Sequence, residues 1–96
     1  MTKLSTDNIN LMLKKTAEWT YLNNSLEKHF TFKNYKQVLS FVNKVAQIAH
    51  EQDHHPDISF GFNTCCVTYT THSHKGVTDL DFKAVASIDK LNEFSS

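Results

Sequence analysis

Apolar residues recur along this chain with a period that switches between that of a helix and that of a strand. Ile9, Met12 and Leu13 lie three and four apart behind Thr6-Asp7, a candidate cap and first-turn acid, and predict a short amphipathic helix from Thr6 to Thr16. Trp19 to Leu22 and Leu26 to Phe32 then read as extended, joined by Asn23-Asn24-Ser25. In the second of these, Phe30 and Phe32 alternate with His29, Thr31 and Lys33, which marks a hairpin. From Asn34 the period lengthens again: Val38, Phe41, Val42, Val45, Ile48 and Ala49 repeat at three and four, with Asn34 as cap and Gln37 at the capping-box position. This helix is expected to end near Glu51.

After Asp53-His54-His55-Pro56 the period returns to two. Ile58, Phe60 and Phe62 alternate against Asp57, Ser59, Gly61 and Asn63. Farther on, Val67, Tyr69 and Thr71 share one face and Cys66, Thr68, Thr70 and His72 the other. A second hairpin is expected, its inward residues including Phe60 and Phe62, with Gly61 marking a bulge or a close backbone approach. Thr78-Asp79-Leu80-Asp81 is a second capping box, and Ala84, Val85, Ile88, Leu91 and Phe94 form the stripe of a last helix. The order αββαββα predicts an α+β fold: a four-stranded, mainly antiparallel sheet with helices packed on one face. Short connections and the absence of repeats make residues 1–96 a single domain.

Composition narrows the function classes. Ten Lys+Arg balance ten Asp+Glu, the basic residues are scattered lysines with no arginine, and the formal net charge is zero. That pattern argues against nucleic acid, anionic membranes and bidentate phosphate recognition. No stretch approaches the ~20 apolar residues that span a bilayer, and the N-terminus lacks a signal-peptide pattern, so a cytoplasmic address is expected. Cys65 and Cys66 are adjacent, and neighbours on a strand point to opposite faces, so a disulfide between them would be strained. A chain this short buries only ~60–65% of its unfolded surface, which favours a homo-oligomer.

The chemistry concentrates in three histidines. Imidazole titrates near neutrality, so convergent histidines can move protons without metal or cofactor. His54 and His55 occupy a tight turn, and Pro56 holds His55 extended. His72 ends the fourth strand, which the hairpin returns beside the start of the third. All three therefore meet at one edge of the sheet.

The positions His50, His54-His55-Pro56, Phe62, His72 and Asp81 resemble the signature of the pterin-4a-carbinolamine dehydratases, and the likeness runs from Trp19 through Phe41-Val42-Asn43-Lys44-Val45-Ala46 to the C-terminus. The resemblance implies dehydration of 4a-hydroxytetrahydropterin to quinonoid dihydropterin, recycling the cofactor of aromatic amino acid hydroxylases. It implies His54 and His72 as an acid/base pair, His55 holding and orienting the pterin, and Asp81 orienting or tuning His72. The roles of His54 and His55 are exchangeable on sequence grounds. It further implies a pterin substrate, functional coupling to a hydroxylase, no metal or other cofactor, and a homodimer or homotetramer. One departure is Ile58, where many relatives carry an aromatic that helps wall the pocket.

Blander roles compete at several of these positions. Asp81 is also needed by the Thr78 capping box, His50 suits a last-turn histidine facing the helix dipole, and Phe62 continues a core alternation. A metal site could draw on His72-x-His74, placed on one strand face, with Cys65, Cys66, His54 and His55, although no C-x-x-C pair exists. A non-enzymatic protein-binding module, for dimerisation or assembly, is the alternative function that the resemblance also carries. Retention of all three histidines favours the enzyme.

Overall fold

The computed structural model describes residues 2–91. Its elements run α1 (Thr6–Leu13), β1 (Thr20–Leu22), β2 (Ser25–Thr31), α2 (Tyr35–Gln52), β3 (Asp57–Phe60), β4 (Thr64–Tyr69) and α3 (Asp79–Asp89), the order that the periodicity predicts. The strands form one antiparallel sheet in the order β1-β2-β4-β3. Asn23 and Asn24 both take positive φ (52° and 61°), as a two-residue hairpin turn requires, and this sets Leu22 opposite Ser25.

Alternation then sorts the side chains. Leu26, Cys65, Val67 and Tyr69 are buried against Val38, Phe41 and Val45 of α2 and Val85 and Ile88 of α3. Phe41 also packs on the rings of Phe30 and Phe32, with centroids 4.5 and 5.1 Å away. Truncating a ring buried in this way costs about 3–5 kcal/mol. On the opposite face of the sheet, Glu27, His29, Cys66 and Thr68 are half-buried or exposed. Helices therefore cover one face only. A clamp from α3 ties in the first hairpin, because Asp89 accepts hydrogen bonds from Trp19 Nε1–H (2.9 Å) and the Ala17 amide (3.0 Å).

The details differ from the sequence expectation at several points. Ser5, one residue before Thr6, caps α1, its hydroxyl accepting from the Asn8 amide at 3.2 Å. Gln37 reaches back to the Lys33 amide (3.0 Å) and not to that of the cap Asn34, whose own side chain receives the Gln37 amide at 2.9 Å. The third strand stops at Phe60, and residues 61–63 form the turn. Gly61 is neither bulged nor closely approached: its amide donates to the Thr64 carbonyl at 3.0 Å, and a Cβ there would meet Thr64 Oγ1 at 3.7 Å. Phe60 and Phe62 are 45% and 72% exposed, not core: β3 is an edge strand, and Phe62 lies beyond its end. The last helix stops at Asp89, Leu91 packs on the core just beyond it, and Phe94 lies outside the described residues.

Candidate active site

The end of α2 fixes the first histidine. Asp53 adopts the left-handed conformation (φ 50°), its amide bonds the His50 carbonyl (3.3 Å), and the His54 amide bonds the Ala49 carbonyl (3.1 Å). These are the paired bonds of a Schellman motif, which stops the helix and sets the direction of the chain leaving it. Glycine is the usual residue at the left-handed position; here aspartate occupies it. Pro56 then ends the turn as β3 begins at Asp57.

Two side chains hold the His54 ring. Its side chain is only 11% exposed, Nε2 lies 2.6 Å from Asp81 Oδ1, and its ring stacks on Tyr69 at a centroid distance of 5.4 Å and an interplanar angle of 28°. Asp81 is fully buried, and its second oxygen accepts from the Thr71 hydroxyl (2.8 Å) and the Thr78 amide (2.9 Å). Thr71 Oγ1 and Thr78 Oγ1 are themselves 2.8 Å apart. One carboxylate thus closes the capping box of α3 and orients an imidazole on the far side of a hairpin. The two readings of Asp81 as cap and as site residue are compatible, since each uses a different oxygen. With Nε2–H donating to Asp81, Nδ1 remains the proton-accepting nitrogen of the neutral ring.

His55 is exposed beside His54, and His72 is exposed at the start of a 3-10 turn, His72–His74, that follows the fourth strand instead of ending it. Thr71 and Gly76 pair across the base of this turn, and Lys75 closes it in the left-handed region (φ 55°). An open cleft of about 320 Å³ is lined by Asp53, His54, His55, Thr70, Thr71, His72, Ser73 and Leu80. The three histidines named from sequence therefore share one cleft, whereas Phe62 and His50 do not line it. Asp81 sits behind it, and its imidazole partner is His54 rather than His72. His72 and His74 lie in the turn and not on one strand face, so the strand geometry expected of a His-x-His metal pair is absent.

Sequence reasoning missed Asp53, Thr71 and Tyr69 as parts of this site. Thr71 carried a usable signal: a threonine continuing an inward alternation, as this one does after Val67 and Tyr69, needs a buried polar partner, and Asp81 supplies it. Burial and the nearby Asp81 push the Tyr69 phenol up to about 12, and among the described residues its hydroxyl has no hydrogen-bond partner. Cys65 is buried, and desolvation lifts its thiol to about 11.

Known proteins resemble this chain in sequence and in fold. A family model described as pterin 4 alpha carbinolamine dehydratase matches residues 2–91. A protein from Nitrosospira multiformis, named "Putative pterin-4-alpha-carbinolamine dehydratase", is 46% identical over 95% of this chain and 80% of its own length. A protein of the same name from Sulfolobus acidocaldarius is 40% identical over 93% of this chain and 98% of its own. Among solved structures, a transcriptional coactivator/pterin dehydratase from Brucella melitensis matches with a TM-score of 0.89 and 28% identity, covering 99% of this chain and 100% of its own. A pterin dehydratase-like RuBisCO assembly factor of the alpha-carboxysome is similar in fold alone, with a TM-score of 0.66 and 23% identity over 83% of this chain and 93% of its own.

Proposed function

The chain belongs to the pterin 4 alpha carbinolamine dehydratase family, and on that premise we propose that it dehydrates 4a-hydroxytetrahydropterin to quinonoid dihydropterin. The observation that carries this reading is the His54–Asp81 pair at 2.6 Å on the wall of a cleft that His55 and His72 also line. In the reaction the C4a–O bond breaks, the departing hydroxyl takes a proton and leaves as water, and a ring nitrogen gives up a proton. Protons balance, so one acid and one base suffice.

His54 is assigned as the base. Asp81 fixes its tautomer and Tyr69 its plane, which leaves Nδ1 as the acceptor for the ring proton. His72, which lines the same cleft, protonates the leaving hydroxyl, and His55 holds the pterin. Positioned general acid/base groups contribute about 10²–10⁴ in rate, which is the scale asked of each. The reading routes no step through a metal.

The family's non-enzymatic use as an assembly factor draws on the fold alone at the identity of that neighbour, whereas the histidine cleft supports dehydration. We also read the chain as a homo-oligomer. Phe60 and Tyr35, whose rings lie 6.4 Å apart, are exposed with Leu39 and Phe62 around the free β3 edge, a grouping that a second copy would cover.

A coupled assay tests the function. An aromatic amino acid hydroxylase generates the carbinolamine, and the decay of its absorbance is followed with and without this protein. Acceleration by the wild type and a loss well over tenfold in His72→Ala are expected. Decay no faster than in buffer would reject the assignment.

A further inference from the structure

The helix-free face of the sheet carries a second group of chemistry-bearing side chains. On the central pair β2–β4, His29 stands directly opposite Cys66, and Glu27 opposite Thr68. All four side chains rise from the same face, and none lines the histidine cleft. Glu27 Oε1 lies 3.0 Å from His29 Nε2, and Cys66 Sγ lies 3.7 Å from the same nitrogen. One donor atom from each of Glu27, His29 and Cys66 lies within 4.8 Å of the other two, the only such group among the described residues.

We propose that Glu27, His29 and Cys66 form a binding site for a thiophilic divalent transition-metal ion, of which Zn(II) is the type. Tetrahedral zinc with bonds of about 2.0–2.3 Å to N, O and S separates its ligand atoms by about 3.4–3.6 Å. The separations here bracket that range, so side-chain adjustments of about an ångström bring the donors to coordinating positions without moving the backbone. The donor set is selective: thiolate with imidazole suits zinc and its neighbours and disfavours magnesium and calcium, which take oxygen.

Three neighbouring features favour a cation. The two strands are locked by the continuous β2–β4 ladder, so the donors' Cα positions are fixed before binding. Thr68 Oγ1 donates to Glu27 Oε2 at 3.4 Å and directs the other carboxylate oxygen toward His29. Around the group, the residues on this face of β1 to β4 include the carboxylate of Asp57 and no lysine, since Lys28 points to the opposite side. On binding, Cys66 releases its thiol proton to solvent and a sulfur–metal bond forms, with no change of oxidation state. The fourth tetrahedral position faces solvent and takes water.

Co(II) is the spectroscopic probe, added to the full chain in one-equivalent steps and then displaced by Zn(II). One equivalent should give a thiolate-to-cobalt charge-transfer band that zinc abolishes. Cys66→Ser should lose the band, and His29→Ala and Glu27→Gln should each weaken zinc by more than about tenfold in competition with a chromophoric chelator. His54→Ala and His72→Ala should leave the band unchanged, and Cys66→Ser should retain dehydratase activity. The proposal is overturned if wild type gives no band, if the band survives in folded Cys66→Ser, or if His72→Ala removes it. Should Cys66→Ser fail to fold, the His29 and Glu27 variants decide: unchanged zinc affinity in both would equally overturn the site.

Discussion

Replacing Asp81 by asparagine separates the two duties that one buried carboxylate performs. The amide oxygen can keep the bonds from the Thr71 hydroxyl and the Thr78 amide, so the cap of α3 survives in outline. The NH2 group then faces His54 Nε2 at the 2.6 Å contact, and two donors cannot share it. His54 must present Nε2 as an acceptor and carry its proton on Nδ1, which removes the base. Loss of the wrong-tautomer kind lowers kcat by about 10²–10⁴ with KM little changed. Stability falls less, because three bonds lose charge assistance while a buried charge is also removed, for a net cost of about 1–3 kcal/mol. Asp81→Ala removes the cap and strands the Thr78 amide in a buried position, and should cost about 3–5 kcal/mol. Urea unfolding measures the stability arm and the coupled dehydratase assay the rate. Wild-type kcat in a folded Asp81→Asn protein would refute the tautomer argument. So would a rate loss that only tracks the unfolded fraction.

Further outcomes follow from the same geometry. Tyr69 and Cys65 have pKa values raised to about 12 and 11 from 10.0 and 9.0, so each contributes stability below its ordinary value and loses it as pH rises through the folded value. Stability should therefore decline between about pH 9 and 12, by up to about 2–3 kcal/mol per group, when unfolding is measured across that range; a flat profile would contradict it. Tyr69→Phe deletes a buried hydroxyl that has no partner among the described residues and should be neutral or stabilising by about 1 kcal/mol, with a shallower alkaline decline, as read by thermal melts. If a second copy covers the β3 edge, Phe60→Glu should shift light scattering toward the mass of a single 11.0 kDa chain, while an unchanged assembly would place the interface elsewhere.

The sequence was informative wherever a local pattern had a local cause. The Thr78-to-Asp81 capping box and the first hairpin each rest on contacts within a few residues; the box formed as read, and the hairpin formed with its turn at Asn23-Asn24 and Ser25 already in the strand. The alternation Val67, Tyr69, Thr71 correctly separated the faces of β4. It failed at Phe60 and Phe62 because alternation reports which face a side chain takes, not whether anything lies over that face at an edge strand. The partner of Asp81 was misjudged for a different reason. Whether His54 or His72 reaches it depends on how the Schellman turn of α2 sits against the start of α3, elements far apart in sequence. No spacing encodes that distance. The convergence of His54, His55 and His72 was legible because hairpin topology alone brings a strand's start beside its partner's end.

The most direct test compares wild type with the double variant His54→Ala/His72→Ala in the carbinolamine decay assay, using protein treated with chelator. Rapid decay is expected with the chelated wild type and decay no faster than buffer with the double variant, whose urea midpoint should stay near that of the wild type. A double variant as fast as wild type, or a wild type that loses its activity to the chelator, would contradict metal-free acid/base dehydration in the histidine cleft.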